Sequence, residues 1–433
     1  MDIQLSNEFK NAINLIETSG KNIFITGNAG TGKSTLLTYF TKVTDRNFAV
    51  LAPTGVAALN VSGQTIHSFF GFKPDITLNS VKKVRDASIF ENLEILIIDE
   101  ISMVRADLFD CMEKALRINK KSNLPFGGVQ LVVIGDLNQL PPVVTRDEEH
   151  IFSGSAGSLY DSPYFFSSEA FKNSSFEVVV LTKIYRQSDE NFLALLNSVR
   201  NNTLSEQDIY TINARVDPEY IPDPEDFTIH LTTTNKRAFE LNEFQLSKVF
   251  GEIFNFKGST VGNFDIRQLP VEETIVLKVG AQVMMLNNDR EKRWVNGSLG
   301  KITNIIREED YEDIIEVMLD NGEIVEVNSH TWDIFRYEFD KSSKKLVASV
   351  VGSYTQYPMK LAWAVTIHKS QGKTFDQVVI DTDRGIFAHG QLYVALSRCR
   401  TLDGIILKKP ITKRDLITDS KISEFMGRIY QLR

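Results

Sequence analysis

Short apolar runs rich in β-branched residues recur along the first half of the chain, each closing on a glycine or a polar cluster. Asn22–Thr26, Phe48–Ala52, Leu93–Ile98, Val129–Ile134 and Val178–Leu181 have this form, and amphipathic stretches such as Lys33–Thr41 and Arg105–Arg117 separate them. Strand alternating with helix predicts an α/β fold, a mostly parallel sheet with helices on both faces. Ligands on such a sheet bind beyond the carboxyl ends of the strands, so the residues after each apolar run are the ones to inspect. A second series starts at Phe227–Thr232, continues at Thr274–Leu277 and resumes at Gln377–Asp381. Between them the texture changes to short strands with turn signals at Asn296-Gly297 and Asn321-Gly322 and no convincing helix. Asn-Gly inside apolar alternation marks a hairpin. The pattern predicts a first domain over 1–165, a second over 166–295 and 352–433, and a small all-β insertion over 296–351.

Composition narrows the class. A length of 433 residues leaves room for two or three domains. Two cysteines, Cys111 and Cys399, exclude a disulfide scaffold, and no Cys/His cluster has structural zinc spacing. No apolar run is long enough to span a membrane, and Met1–Lys10 reads as neither a secretory signal nor a transit peptide, so a cytoplasmic protein is expected. The 48 lysines and arginines against 56 acids leave a formal charge of −8, which on its own argues against a nucleic-acid partner. Nine of those acids, however, fall between Ile305 and Glu326 with a single base, Arg307. The rest of the chain is neutral and can carry a basic groove, so net charge decides little.

The chemistry lies where the strand pattern puts it. Gly27-Asn28-Ala29-Gly30-Thr31-Gly32-Lys33-Ser34 follows the first strand and opens a helix, with Thr35 behind it. This is the phosphate-binding G-x-x-x-x-G-K-[ST] loop in its required context. Its glycines let backbone N–H groups turn toward phosphate oxygens, the helix N-terminus adds its dipole, Lys33 reaches the β- and γ-phosphates, and Ser34 holds Mg²⁺. A buried strand ends in Asp99-Glu100. Asp99 suits the Mg²⁺ shell and Glu100 the activation of water. Another strand runs into Gly135-Asp136-Leu137-Asn138-Gln139, where Gln139 can sense the γ-phosphate or the water. These parts define a P-loop NTPase with hydrolytic equipment, without fixing what the hydrolysis drives. Arg186, in Leu181–Gln187, and Arg398, in Tyr393–Arg400, are candidate clamps for transition-state charge.

The ordered set GNAGTGKST, LAPTGVAAL, GQTIHSFF, IIDEIS, GDLNQLPP, LTKIYRQ, TIHKSQGKTF and YVALSRCR resembles the superfamily-one helicases, and most closely the petite-integration-frequency (PIF-type) family of 5′→3′ DNA helicases. Asp107-Leu108-Phe109 with Met112–Arg117 is similar to that family's signature stretch. The likeness runs from Gly27 to Arg400. It implies two RecA-like P-loop NTPase domains with ATP between them, Arg186 and Arg398 supplied by the second, and Gly372 meeting the γ-phosphate through its backbone. It also implies that the β insertion is a small Src-homology-three-like barrel and that Gly63–Phe72 is a strand-separating wedge. The family carries Gln after the Glu of its Leu-Ser-x-Glu element; here Leu5-Ser6-Asn7-Glu8 is followed by Phe9, and Gln4 is the candidate reader of the adenine edge. A minimal bacterial or viral member is expected.

A single-strand track combines backbone contacts with base stacking. Pro53-Thr54-Gly55 exposes small polar groups after a strand, and Gln64–Phe72 mixes hydrogen bonders such as Thr65 and His67 with the aromatics Phe69, Phe70 and Phe72. In the second domain Asn235 and Lys236 end one strand, and Thr366 and His368 another. The family likeness places Thr54, His67, Asn235 and His368 along the strand. The expectation is therefore an ATP- and Mg²⁺-dependent helicase acting as a monomer on single-stranded DNA and its junctions with duplex, with forks, RNA–DNA hybrids and G-quadruplexes as further substrates. The rivals are an RNA-remodelling ATPase, distinguished by equal stimulation with RNA, and an ATP-switched single-strand binder, which has no use for a base at Glu100.

Overall fold

The computed structural model describes residues 6–155, 157–187, 189–223, 225–262, 269–307, 312–382 and 385–431. Gln4, the candidate adenine reader, lies outside them. The chain divides into two compact units. The first comprises residues 1–185, 333–352 and 420–433, and the second 186–332 and 353–419.

The first unit is built on six parallel strands: β1 (Asn22–Gly27), β2 (Phe48–Ala52), β3 (Gln64–Thr65), β4 (Ile95–Ile98), β5 (Gln130–Ile134) and β6 (Phe176–Leu181). Their spatial order is β3-β2-β4-β5-β1-β6, so the chain leaving β1 crosses over two neighbours before re-entering at β2. Both faces are covered, which is why the strands read as unbroken apolar runs. Ile23, Ile25, Ile95, Ile97, Val132 and Ile134 face one core with helices α1 (Asn7–Thr18) and α2 (Lys33–Val43). Phe24, Leu96, Ile98, Leu131 and Val133 face the other, where the helix Ala106–Lys120 packs.

Two distant segments complete that second face. The C-terminal helix Ser420–Gln431 buries Ile422, Met426 and Ile429, and its Phe425 stacks on Phe166 with ring centroids 4.2 Å apart. The spacing of four and three residues is the apolar stripe of a helix. The outer part of a long hairpin, His330–Asp340 with Lys345–Gln356, also belongs to this unit. Because β3 is only two residues long, β2 keeps an unpaired edge below it. Val50 N–H donates to the Tyr337 hydroxyl at 2.9 Å, Asn47 donates to the Lys344 carbonyl and accepts from Leu346 N–H. The hairpin thus covers an edge that would otherwise be open to other chains.

The second unit holds a four-stranded parallel sheet, Ala364–Thr366, Ile229–Thr232, Val378–Asp381 and Ile405–Leu407 in that order. It also has a five-stranded antiparallel sheet in the order Ile324–Val327, Ile314–Leu319, Leu299–Ile306, Gln282–Met285, Met359–Leu361. The fold class is as expected, α/β with parallel sheets of the RecA-like kind, but three boundaries differ. The first unit runs past 165 because β6 pairs with β1 along its whole length. The β region begins before 296 and ends after 351, since its sheet needs Gln282–Met285 and Met359–Leu361, while 333–352 packs in the first unit. Thr274–Leu277 pairs antiparallel with Phe254–Lys257 and is no part of the parallel sheet. Of the two Asn-Gly signals, Asn321-Gly322 turns a hairpin between adjacent strands, with Gly322 at φ +83°. Asn296-Gly297 instead lies in the longer loop between Met285 and Leu299. Among the described residues no helix is long and apolar enough to cross a membrane.

Candidate functional site

In the first unit the strand ends β1, β4 and β5 converge. Gly27 closes β1, and a Cβ there would meet the Leu181 carbonyl oxygen at 2.5 Å, so only glycine lets β1 turn beside β6. Gly32 adopts φ +83°, and a side chain on it would strike Phe9 at 2.9 Å. Lys33 Nζ donates to the carbonyls of Gly27 and Asn28 at 2.8 and 2.9 Å, which holds the ammonium over the loop. Residues Asn28 to Thr35 therefore form one continuous cradle entering α2, with the first-turn N–H groups at its floor.

Asp99 ends β4 and is buried. Burial pushes its carboxyl above the usual range, opposed by the Glu100 backbone N–H and the Lys33 charge. Glu100 sits at φ +51°, a left-handed conformation rare for a non-glycine residue. Such strain persists only where the surroundings impose it. Gly135 lies against the turn that follows: a Cβ there would stand 2.9 Å from Ile101 Cγ2 and 3.1 Å from Ile101 N. The bare glycine brings the end of β5 against the turn after Glu100. Gln139 Nε2 donates to Asp136 Oδ2 at 3.1 Å, so its amide is held by a buried carboxylate. An oxygen donor set of Ser34 hydroxyl and Asp99 carboxylate fits Mg²⁺, a hard cation that takes most of its ligands from phosphate and water. Among the described residues no group of three or more His, Cys, Asp or Glu could cage a metal by itself.

In the second unit Arg186 Nη2 donates to the Gly372 carbonyl at 2.9 Å, and its Nη1 is buried without a partner. Arg398 is only 1% exposed. Its Nε donates to the Val394 carbonyl, Nη1 to the carbonyls of Ser370 and Lys373, and Nη2 to the Ser397 hydroxyl. The guanidinium braces the Ser370–Lys373 loop, and with it Gly372.

The nucleic-acid candidates occupy equivalent places in the two units. In the first, β2 and β3 are neighbours, with Ala52 opposite Thr65. Their ends bring Pro53, Thr54 and Gly55 beside Thr65 and His67. Thr54 caps the helix Gly55–Asn60, Thr65 caps the helix Ile66–Phe70, and both hydroxyls accept backbone N–H bonds. In the second, Thr232 is opposite Thr366, which brings Asn235 and Lys236 beside Thr366 and His368. Thr234 caps the helix that Asn235 opens, and Thr366 Oγ1 accepts from Lys369 N–H. His67 and His368 are half-buried, and desolvation lowers both pKa values; the Arg105 charge adds to the effect at His67.

Phe69 and Phe70 are core, the usual place of an adjacent aromatic pair: they are 8% and 4% exposed, packed against Phe90, with Tyr337 at 6.0 Å from Phe69. Phe72 stacks on Phe70 and stays half-buried. The covering hairpin lies far away in sequence, and nothing local announces it. Phe9, noted in the sequence only as standing where the family carries Gln, and the half-exposed Tyr185, which the sequence reading did not single out, both flank Gly32, and Tyr185 N–H donates to the Gly30 carbonyl at 2.9 Å. The helix-capping Ser6 and the adjacent Arg186 were the signals available for them.

A phosphate loop on a parallel sheet, a Mg²⁺-suited carboxylate followed by a second carboxylate, and a second parallel-sheet unit carrying arginines define a P-loop NTPase with RecA-like architecture. The family model described as PIF1-like helicase matches residues 4–209, and that of the UvrD-like helicase C-terminal domain matches 361–403. The ATP-dependent DNA helicase Pif1 of Bdellovibrio bacteriovorus is 32% identical, across 98% of this chain and 92% of that protein. The crystal structure of Bacteroides sp Pif1 in complex with ADP-AlF4 has a TM-score of 0.89 at 38% identity, covering 99% of this chain and 98% of that one. Bacteroides Pif1 in complex with ADP-AlF3 and ssDNA gives 0.71 at 37%, covering 100% and 98%. The chain belongs to the PIF1-like helicase family and is an ATP-hydrolysing helicase.

Proposed function

We propose that this protein tracks single-stranded DNA 5′→3′ and opens duplex ahead of it at single-strand–duplex junctions, acting as a monomer. The observation that carries the reading is the pairing of strand ends: each unit presents two neighbouring parallel strands whose termini hold small hydroxyl residues, one histidine or asparagine, and capped helix starts suited to backbone phosphates. Motion of one set past the other, driven by ATP turnover, is translocation. The ssDNA-bound relative supports DNA as the polymer.

In hydrolysis Lys33 neutralises charge on the outer phosphates, Glu100 accepts the proton of the attacking water, and Gln139 orients that water. Arg186 offers Nη1 to the transferred phosphoryl group, and Arg398 positions Gly372. Mg²⁺, held by Ser34 and Asp99, supplies further neutralisation of phosphate charge when bound. Forked duplexes, RNA–DNA hybrids and G-quadruplexes are the substrates to compare. The test uses two labelled partial duplexes, one with a 5′ and one with a 3′ single-stranded tail, with ATP and Mg²⁺. Opening of the 5′-tailed duplex alone is expected. Opening of neither, despite DNA-stimulated hydrolysis, overturns the unwinding reading, and opening of the 3′-tailed one overturns the polarity.

A further inference from the structure

The second unit contains a group of cations that the nucleotide chemistry leaves unused. Lys360 lies on the strand Met359–Leu361, Lys369 follows His368, and Lys373 follows Gly372. Lys373 Nζ donates to Asn296 Oδ1. Its stem runs over Gly297, where an added Cβ would stand 3.1 Å from Lys373 Cγ and 3.3 Å from its Cβ. Gly297 holds φ +105° and donates its N–H to the Met285 carbonyl at 2.8 Å. The next residue back, Met284, is the strand partner of Lys360. The Asn-Gly pair thus acts as a saddle that lays Lys373 beside Lys360.

The cluster is short of negative charge: Glu272 acts on Lys360, but Lys369 and Lys373 bring two further ammonium groups. Lys360 lies in the fields of Lys369 and Glu272, and Lys373 in the field of Lys360. Among the described residues none of the three makes an ion pair, and the neutral Asn296 amide is the hydrogen-bond partner of Lys373. Burial together with like charge holds Lys360 down to about 8 and Lys373 to about 7. Buried ammonium groups with too little counter-charge are costly unless a ligand supplies more.

We propose that Lys360, Lys369 and Lys373 form a seat for one phosphodiester of the tracked DNA strand, with the Gly297 saddle setting the position of Lys373. The inference rests on the strand-tracking reading above and adds a contact to it. Lys369 joins the seat directly to Thr366 and His368, which favours a backbone phosphate of the strand over a nucleotide phosphate. Lysine suits such a seat as a compact point charge.

The test measures binding of a fluorescein-labelled oligothymidylate by anisotropy from 50 to 400 mM NaCl, for the wild-type protein and for Lys360→Met, Lys373→Met and Gly297→Ala. Methionine keeps the stem and removes the charge. Each lysine variant should bind about tenfold more weakly at low salt and lower the slope of log K against log salt by about 0.7, the value for one single-strand phosphate contact. Gly297→Ala, which displaces Lys373, should lower the slope in the same direction. A measurement on the wild-type protein needs no variant: calorimetry at pH 8 in two buffers of different ionisation enthalpy should show proton uptake on DNA binding. An unchanged slope in both lysine variants, or absence of proton uptake, overturns the seat. So does a raised KM for ATP with an unchanged slope, which assigns the cluster to the nucleotide. Absence of salt-dependent DNA binding in the wild-type protein overturns the strand-tracking reading itself, whereas binding with an unaltered slope overturns the seat alone.

Discussion

Gly135→Ala tests whether the Glu100 carboxylate, the proposed base, owes its place to a backbone contact. The added methyl would stand 2.9 Å from Ile101 Cγ2, so about 0.6–1.1 Å of movement is needed to reach an ordinary carbon–carbon separation. Ile101 is fully buried and cannot swing outward. Its backbone nitrogen, 3.1 Å away, is also in the path, and it is the atom bonded to Glu100. The strain therefore passes to the left-handed turn that aims Glu100. Overpacking of this size costs roughly 1–3 kcal/mol of stability. A misplacement of about 1 Å at a reacting group costs on the order of 100-fold in rate. The assay is DNA-stimulated ATP hydrolysis at saturating ATP, with the melting temperature followed in parallel. The expected result is a folded protein whose kcat falls at least tenfold (roughly) while KM for ATP stays within about threefold, because the phosphate loop is untouched. A folded variant with full kcat would refute the claim that this contact sets Glu100.

Glu100→Gln should reduce turnover by about 10²–10⁴ while nucleotide binding persists, read by hydrolysis beside binding of a fluorescent ATP analogue; turnover within tenfold of wild type would exclude Glu100 as the base. Tyr337→Phe leaves the Val50 N–H buried without its acceptor and should cost about 1–3 kcal/mol in urea unfolding of the intact protein; a change below about 0.5 kcal/mol would mean the hairpin does not hold that edge. His230, with Nδ1 unpartnered, is held down to about 4 chiefly by burial, with Lys408 and Arg237 adding to the effect and Asp381 opposing it. The unfolded chain takes up the proton near pH 6.5 and the folded one only near 4, so stability should fall as pH drops through that window, by on the order of 3 kcal/mol. Unfolding at pH 7 and pH 4.5 in His230→Asn should lose that part of the dependence, and an identical pH profile would sink the assignment.

The apolar runs, the glycine-lysine loop and the adjacent carboxylates were legible because their chemistry is local. A phosphate cradle needs a strand, a glycine turn and a helix start within a dozen residues, and the sequence spells all three between Asn22 and Ser34. The same holds for Asp99-Glu100 at the end of β4 and for the capped strand ends at Thr54, Thr65 and Thr234. What stayed hidden depends on segments far apart in the chain. The edge of β2 is covered by a hairpin nearly three hundred residues away, and its Tyr337 packs edge-on against Phe69. Arg398 looks the same as Arg186 in sequence, yet its donors are taken up by the loop it braces, while Arg186 keeps one nitrogen unpartnered. Asn296-Gly297 reads as a hairpin turn, and only packing shows that it carries the stem of Lys373. Local spacing determined which groups exist and the order in which they meet the sheet edge; long-range packing decided which of them are available to a ligand, because burial and hydrogen-bond saturation belong to neighbours that the linear sequence does not place.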